Sequence, residues 1–144
     1  MSRVEARECT FRLIYMSIML YDKISFMYDS ENDNHKLIKE CADNSKLKLK
    51  SEDINYVEEI LSGVSQKQKE IDVLMSENLK DWNIDRISKI LYSILQLAIY
   101  EIKFRSDIPN EVCANEAVKL AKTYDTLNGA SFVNGILGCI IENA

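Results

Sequence analysis

Apolar residues along this chain recur every three or four positions rather than every two, the signature of helices that bury one face. Between residues 3 and 20, Val4, Phe11, Ile14, Tyr15, Ile18 and Leu20 follow that step, with Ala6 and Cys9 as smaller members of the same face. Ser2 stands where a helix cap is expected. Residues 21–35, rich in Asp, Asn and Ser, read as a mobile connection, and a short helix is predicted near His35–Asp43, before Asn44 and Ser45 break the pattern. Ser51 is the expected cap of a long third helix striped by Ile54, Val57, Ile60, Leu61, Val64, Ile71, Leu74 and Met75. Asp53 lies in its first turn, where negative charge suits the helix dipole.

The strongest periodicity runs from Trp82 to Arg105, where Ile84, Ile87, Leu91, Ile94, Leu95, Ala98 and Ile102 form one face and Ile90, Leu97 and Ile99 widen it. Such a helix is expected at the centre, packed on more than one side. The pattern leaves open whether it breaks near Lys89. Pro109 forces Ile108 out of the helical region and can open the next helix, continued by Val112, Cys113, Ala117, Leu120 and Ala121. Asp125–Gly129 reads as a loop, and a last helix is predicted from Ala130 to Ile141. With only 4 Gly and 1 Pro in 144 residues, the tight turns that sheets need are scarce. The predicted fold is all-α: six to seven helices in two small packed subdomains, about 1–80 and 81–144, divided in the long third helix or just after it, near residues 78–82.

A net charge of −5 excludes a bulk polycation, so any nucleic-acid site must be a local patch. Residues 1–23 carry Arg3, Arg7, Arg12 and Lys23 against Glu5, Glu8 and Asp22. Residues 36–50 carry Lys36, Lys39, Lys46, Lys48 and Lys50 against Glu40 and Asp43. Either stretch could meet phosphate. The cysteines, Cys9, Cys41, Cys113 and Cys139, show no CxxC spacing, and His35 is the only histidine, so no metal site is expected. Cys9, Cys113 and Cys139 fall on apolar helical positions, which reads as reduced and cytoplasmic. The stretch from Phe11 to Leu20 is broken by Arg12 and lacks a signal-peptide cleavage site, and no apolar run is long enough for a membrane span.

Catalytic patterns are missing. There is no GxSxG, Walker loop, GxGxxG or HExxH, so neither an enzyme nor a cofactor is expected. Asn115 and Glu116 are read as a polar pair satisfying groups near a helix start.

Four stretches together resemble the NusB family. They are Arg3–Glu8 with Phe11–Tyr15; Tyr56–Val64; Trp82, Arg86-Ile87 and Ile94–Glu101; and, most specifically, Asp107-Ile108-Pro109, Asn115–Lys122 and Phe132–Leu137. The last group sets DIP, NEAVKLAK and FVNGIL at fixed spacing over 31 residues. The resemblance implies an all-helical factor for transcription antitermination and termination control. It implies that such proteins bind boxA-type single-stranded RNA together with a small-subunit ribosomal protein, NusE, and help RNA polymerase read through terminators in rRNA operons. Some family members form homodimers that hide the RNA surface.

By the same resemblance, Arg3 and Arg7 fall in the family's RNA-binding arginine motif and Phe132 where it places an aromatic at the RNA. Two arginines four apart share a helix face and can meet adjacent phosphates. Single-stranded RNA is commonly read by stacking bases on aromatic rings.

The chain also departs from the family pattern. Val4 and Glu5 stand where many members carry basic residues, Gln96 replaces an arginine, Ser131 a basic residue, Gly129 a serine and Leu91 an acidic residue. Each lost charge removes a phosphate contact or ion pair, so weaker or partner-dependent RNA binding is expected. Two other readings compete. One is an RNA-binding accessory domain of an rRNA cytosine methyltransferase, which an end at Ala144 soon after the final helix argues against. The other is a helical adaptor that binds protein alone.

Overall fold

A computed structural model of the chain describes residues 3–25, 31–44, 47, 49–79 and 84–143. Within these, six α-helices follow one another: α1 (Arg3–Tyr21), α2 (Glu31–Asn44), α3 (Ser51–Glu77), α4 (Lys89–Phe104), α5 (Asn110–Tyr124) and α6 (Leu127–Glu142). A short 3-10 turn, Ile84–Arg86, precedes α4. None of the described helices is long and apolar enough to cross a membrane. The chain divides into two compact units, Met1–Gln66 and Lys67–Ala144. The division falls inside α3.

In the first unit α1 presents Ala6, Cys9, Leu13, Ile14 and Ile18 to a core shared with Ile38 and Ala42 of α2 and with Val57, Ile60, Leu61 and Val64 of α3. Helix α1 stops where Asp22 takes a left-handed backbone conformation (φ 58°) and its N–H donates to the Ile18 carbonyl at 2.8 Å. Aspartate tolerates that conformation better than most residues. Buried Ser17 ties the exit back onto the helix: its hydroxyl donates to the Lys23 carbonyl (2.8 Å) and accepts from the Ser25 N–H (2.9 Å). Helix α3 starts one residue earlier in its capping than the sequence suggests. Ser51 is already helical, the Lys50 carbonyl accepts from the Ile54 N–H (3.0 Å), and the Asp53 carboxylate reaches back to the Lys50 N–H (3.0 Å). The Asp53 bond is the N3-to-N-cap half of a capping box; the lysine side chain has no acceptor to supply the other half.

The second unit is organised by α4. Leu91, Ile94, Leu95, Leu97, Ala98, Ile99 and Ile102 are buried, as its all-round apolar surface demands, and α5 and α6 pack on it and on each other. Of the two alternatives that the periodic signal from Trp82 leaves open, the break near Lys89 is the one found. Ser88 is extended (φ −60°, ψ 151°), and its hydroxyl accepts from the Leu91 N–H at 3.1 Å, so the helix begins only at Lys89. Trp82 itself, like the expected cap Ser2, lies outside the described residues. Helix α6 is longer than predicted, because Thr126 caps it: its hydroxyl accepts from the Gly129 N–H at 2.9 Å, drawing Leu127–Gly129 into the first turn. Helix α2 likewise starts at Glu31, ahead of His35. Pro109 is the N-cap of α5, with its carbonyl accepting from Val112 (3.0 Å) and Cys113 (3.2 Å).

Burial on every side obliges α4 to satisfy its own polar groups. Ser93 donates to the Lys89 carbonyl (2.7 Å). Fully buried Gln96 donates through Nε2 to Asp72 Oδ1 on α3 (2.7 Å), the oxygen that also receives the Tyr92 hydroxyl (2.5 Å). Gln68 Nε2 donates to that hydroxyl at 3.0 Å. An arginine at position 96, the family pattern, would bring a positive charge to this carboxylate; here its hydrogen bonds come from neutral groups. Burial pushes the Asp72 carboxyl above its ordinary value, and the hydrogen bonds from Tyr92 and Gln96 only partly oppose it. Burial, reinforced by Asp72, also pushes the Tyr92 hydroxyl above the usual tyrosine range.

A carboxyl whose folded value is raised favours the folded state fully below its unfolded value near 3.8, and that contribution is lost as pH rises through the folded value. In urea denaturation, therefore, the stability of the wild type relative to Asp72→Asn is expected to fall as pH increases from about 4, then level off. A difference independent of pH would contradict the raised Asp72 carboxyl. Thr126→Ala removes the cap of α6 and is expected to cost about 1 kcal/mol, read as a lower urea midpoint at unchanged slope.

Candidate nucleic-acid interface

Each unit holds candidate nucleic-acid-binding residues of its own. At the start of α1, Arg3 is exposed and its guanidinium lies 4.0 Å from the centroid of the Tyr56 ring on α3. A cation over an aromatic face is held there without losing its charge, which leaves outward N–H donors for a phosphate. Tyr56 is itself buried, so the platform is rigid. Nothing in the sequence marks Tyr56 for this role except its place in the apolar face of α3.

Arg7, one turn further on, is only 5% exposed. The expected pair of solvent-facing guanidinium groups is therefore reduced to one. The reason is geometric: Arg7 stands three, four and seven positions before buried Thr10, Phe11 and Ile14 and shares their side of the helix. The second cationic stretch remains at the surface, with Lys36, Lys39 and Lys50 exposed, while Lys46 and Lys48 lie outside the described residues.

In the second unit Phe132 is partly buried and lines a cavity of about 290 Å³. The cavity lies where α4 and α6 both begin. Arg86, Ser88 and Leu91 line one side and Thr126, Asn128 and Gly129 the other, with Asp125 beside them. Arg86 is exposed and belongs to the 3-10 turn. Its pairing with Phe132 was not legible in the sequence, since 46 positions separate them and only the placement of the two helix starts joins them. Two capped helix N-termini add partial positive charge at the same place. The Asp125 carboxylate, which accepts from the Thr126 hydroxyl at 3.3 Å, opposes them.

Two of the departures from the family pattern meet here. A Cβ on Gly129 would run into the Asp125 carboxylate and would come within 3.3 Å of Leu91 Cδ2. Glycine at 129 and leucine at 91 are thus fitted to each other, and together they give the cavity an apolar floor beneath a polar rim. Such a depression, with an aromatic edge and a guanidinium, can hold a flat unpaired base while its phosphate stays in solvent. Among the described residues no group of His, Cys, Asp and Glu is arranged to hold a metal ion.

Comparison with known proteins agrees with this architecture. The model of the NusB family matches residues 4–142. The chain is 39% identical to the transcription antitermination protein NusB of Clostridium botulinum, over 98% of this chain and 100% of that protein. It is 40% identical to the NusB of Clostridium acetobutylicum, over 100% of this chain and 98% of that one. Among solved structures, NusB of T. maritima superposes with a TM-score of 0.81 at 29% identity, covering 99% of this chain and 92% of that one. A structure of the antitermination factors NusB and NusE in complex with double-stranded RNA shares the fold, with a TM-score of 0.78 at 24% identity over 99% of this chain and 97% of that one. From its first helix to its last, this chain belongs to the NusB family.

Proposed function

We propose that the protein is a non-enzymatic transcription antitermination factor that binds boxA-type RNA jointly with a small-subunit ribosomal protein, NusE. The observation that carries this reading is family membership across residues 4–142, combined with an aromatic-and-arginine cavity at Phe132 and Arg86. The relatives named above as antitermination proteins, and the related complex of NusB and NusE with RNA, support it.

In this reading Arg3 supplies a phosphate contact from its seat on Tyr56, Phe132 stacks a base, and Arg7 acts from inside α1 by holding the arginine-bearing helix in place. The bound complex then joins RNA polymerase and lets it pass terminators in rRNA operons. A homodimer that covers the same surface is a resting form that RNA must open.

Charge sets the expected strength. Serine at 131 removes a basic residue that the family pattern supplies, and the cavity carries an acid at Asp125. Affinity that rests on few phosphate contacts is low alone and gains from a second binding partner.

Fluorescence anisotropy with labelled boxA RNA tests this. The chain alone is expected to bind weakly at physiological salt and more tightly once the ribosomal protein is added. Arg3→Ala should reduce the slope of log affinity against log salt by about 1. Phe132→Ala should cost about 1–3 kcal/mol for a stacked base. Tight binding by the chain alone, or indifference to both substitutions, contradicts the proposal. Ribosomal-protein binding with no response to RNA would instead identify an adaptor that binds protein alone.

A further inference from the structure

We propose that Cys9 and Cys41 form a paired-thiol modification site that closes reversibly into a disulfide, clamping α2 to α1. The two cysteines lie on different helices of the first unit, 32 positions apart in sequence. Cys9 is fully buried on the face of α1 that meets α2, and its Sγ lies 3.9 Å from the carbonyl oxygen of Ile38. Ile38 is also fully buried, so this turn of α2 is pressed against α1. Cys41 follows Ile38 by three residues, one helical turn along the same face. The Cys41 thiol therefore lies near Cys9, and its proximity helps to raise the Cys9 thiol.

The two thiols differ in access, and the difference orders the chemistry. Cys41 is partly exposed, whereas Cys9 is sealed. The neighbouring thiol and burial both hold Cys9 above the usual thiol range, so Cys9 is protonated at rest and is a poor first target for an oxidant. A hydroperoxide therefore meets Cys41 first. Its sulfur attacks one peroxide oxygen and the O–O bond breaks, which leaves a sulfenic acid and releases water when the oxidant is hydrogen peroxide. Cys9 Sγ, facing the same turn of α2, then attacks the Cys41 sulfur as its own proton is lost to the leaving group. An S–S bond forms, the S–O bond breaks, and the departing hydroxide takes the Cys9 proton to leave as a second water. Two thiols are oxidised and one peroxide is reduced. A dithiol reductant reverses the closure by thiol–disulfide exchange.

Proximity is what separates this pair from an ordinary buried cysteine. A lone oxidised thiol proceeds to irreversible acids, whereas one with a resolving thiol in contact stops at the disulfide. The clamp sits in the unit that carries Arg3 and Arg7, but its formation is read without RNA and stands or falls independently of the RNA reading.

Peptide mapping by mass spectrometry tests it on the folded full-length chain. After treatment with hydrogen peroxide and alkylation of remaining thiols, the Cys9 and Cys41 peptides are expected joined, lighter by two hydrogen atoms, and separable by dithiothreitol. In Cys9→Ala, Cys41 should instead be captured by dimedone as a sulfenic acid. Three results for the wild type would overturn the proposal: Cys41 unreactive, Cys41 accumulating as a dimedone adduct or sulfinic acid without the cross-link, or a cross-link that appears only after unfolding in urea.

Discussion

Burial of α4 on almost every side is the constraint on which the second unit depends. A helix carrying Leu91, Ile94, Leu95, Leu97, Ile99 and Ile102 cannot leave a face in water, so α5 and α6 must both pack on it. Once it is enclosed, its polar side chains have only protein partners. Gln96 and Tyr92 converge on Asp72 for that reason, and Ser93 turns back onto its own helix. The same packing brings the starts of α4 and α6 side by side, where Ser88 and Thr126 cap them. The cavity at Phe132 is a consequence of this arrangement rather than a separate feature.

The first unit solves a different problem, how to keep a cation accessible at the end of a buried helix. Most of α1 is core, so an arginine on its inner side is drawn in, as Arg7 is. Arg3 stays out because it precedes the core positions and can lie over Tyr56. A cation–π seat of this kind is worth about 0.5–1 kcal/mol at an exposed site. That is enough to favour one orientation and small enough for a phosphate to recruit the same group. In the proposed function the electrostatics of RNA binding rest on a few placed charges within an acidic chain, not on bulk attraction.

Periodicity located α1, α3 and α5 closely, because each carries a clean apolar stripe ended by a polar or proline-containing break. It failed where a cap interrupts a stripe without interrupting its spacing. Ile84 and Ile87 keep step with Leu91, yet Ser88 stops the helix between them. Asn128-Gly129 has the composition of a turn, yet Thr126 turns it into the first turn of α6. For the site, the family resemblance singled out Arg3, Arg7 and Phe132. It could not tell that Arg7 is buried, since an arginine four residues from another looks equally exposed in a sequence. Arg86 beside Phe132, Tyr56 beneath Arg3 and Cys9 against Cys41 are tertiary neighbours joined by no local signal. The fit between Gly129 and Leu91 belongs to the same class: two separate departures from the family pattern become one feature only in space.

In the proposed function RNA is met by a seated arginine at the start of α1 and by the depression where α4 and α6 begin. The decisive measurement is amide chemical-shift mapping of the isotope-labelled chain, titrated with boxA RNA in the presence of the small-subunit ribosomal protein. Adding RNA to the protein pair should shift resonances in the first turns of α1, in residues 86–91 and in residues 125–132. RNA-dependent shifts confined to other helices, with these segments unmoved, would contradict it.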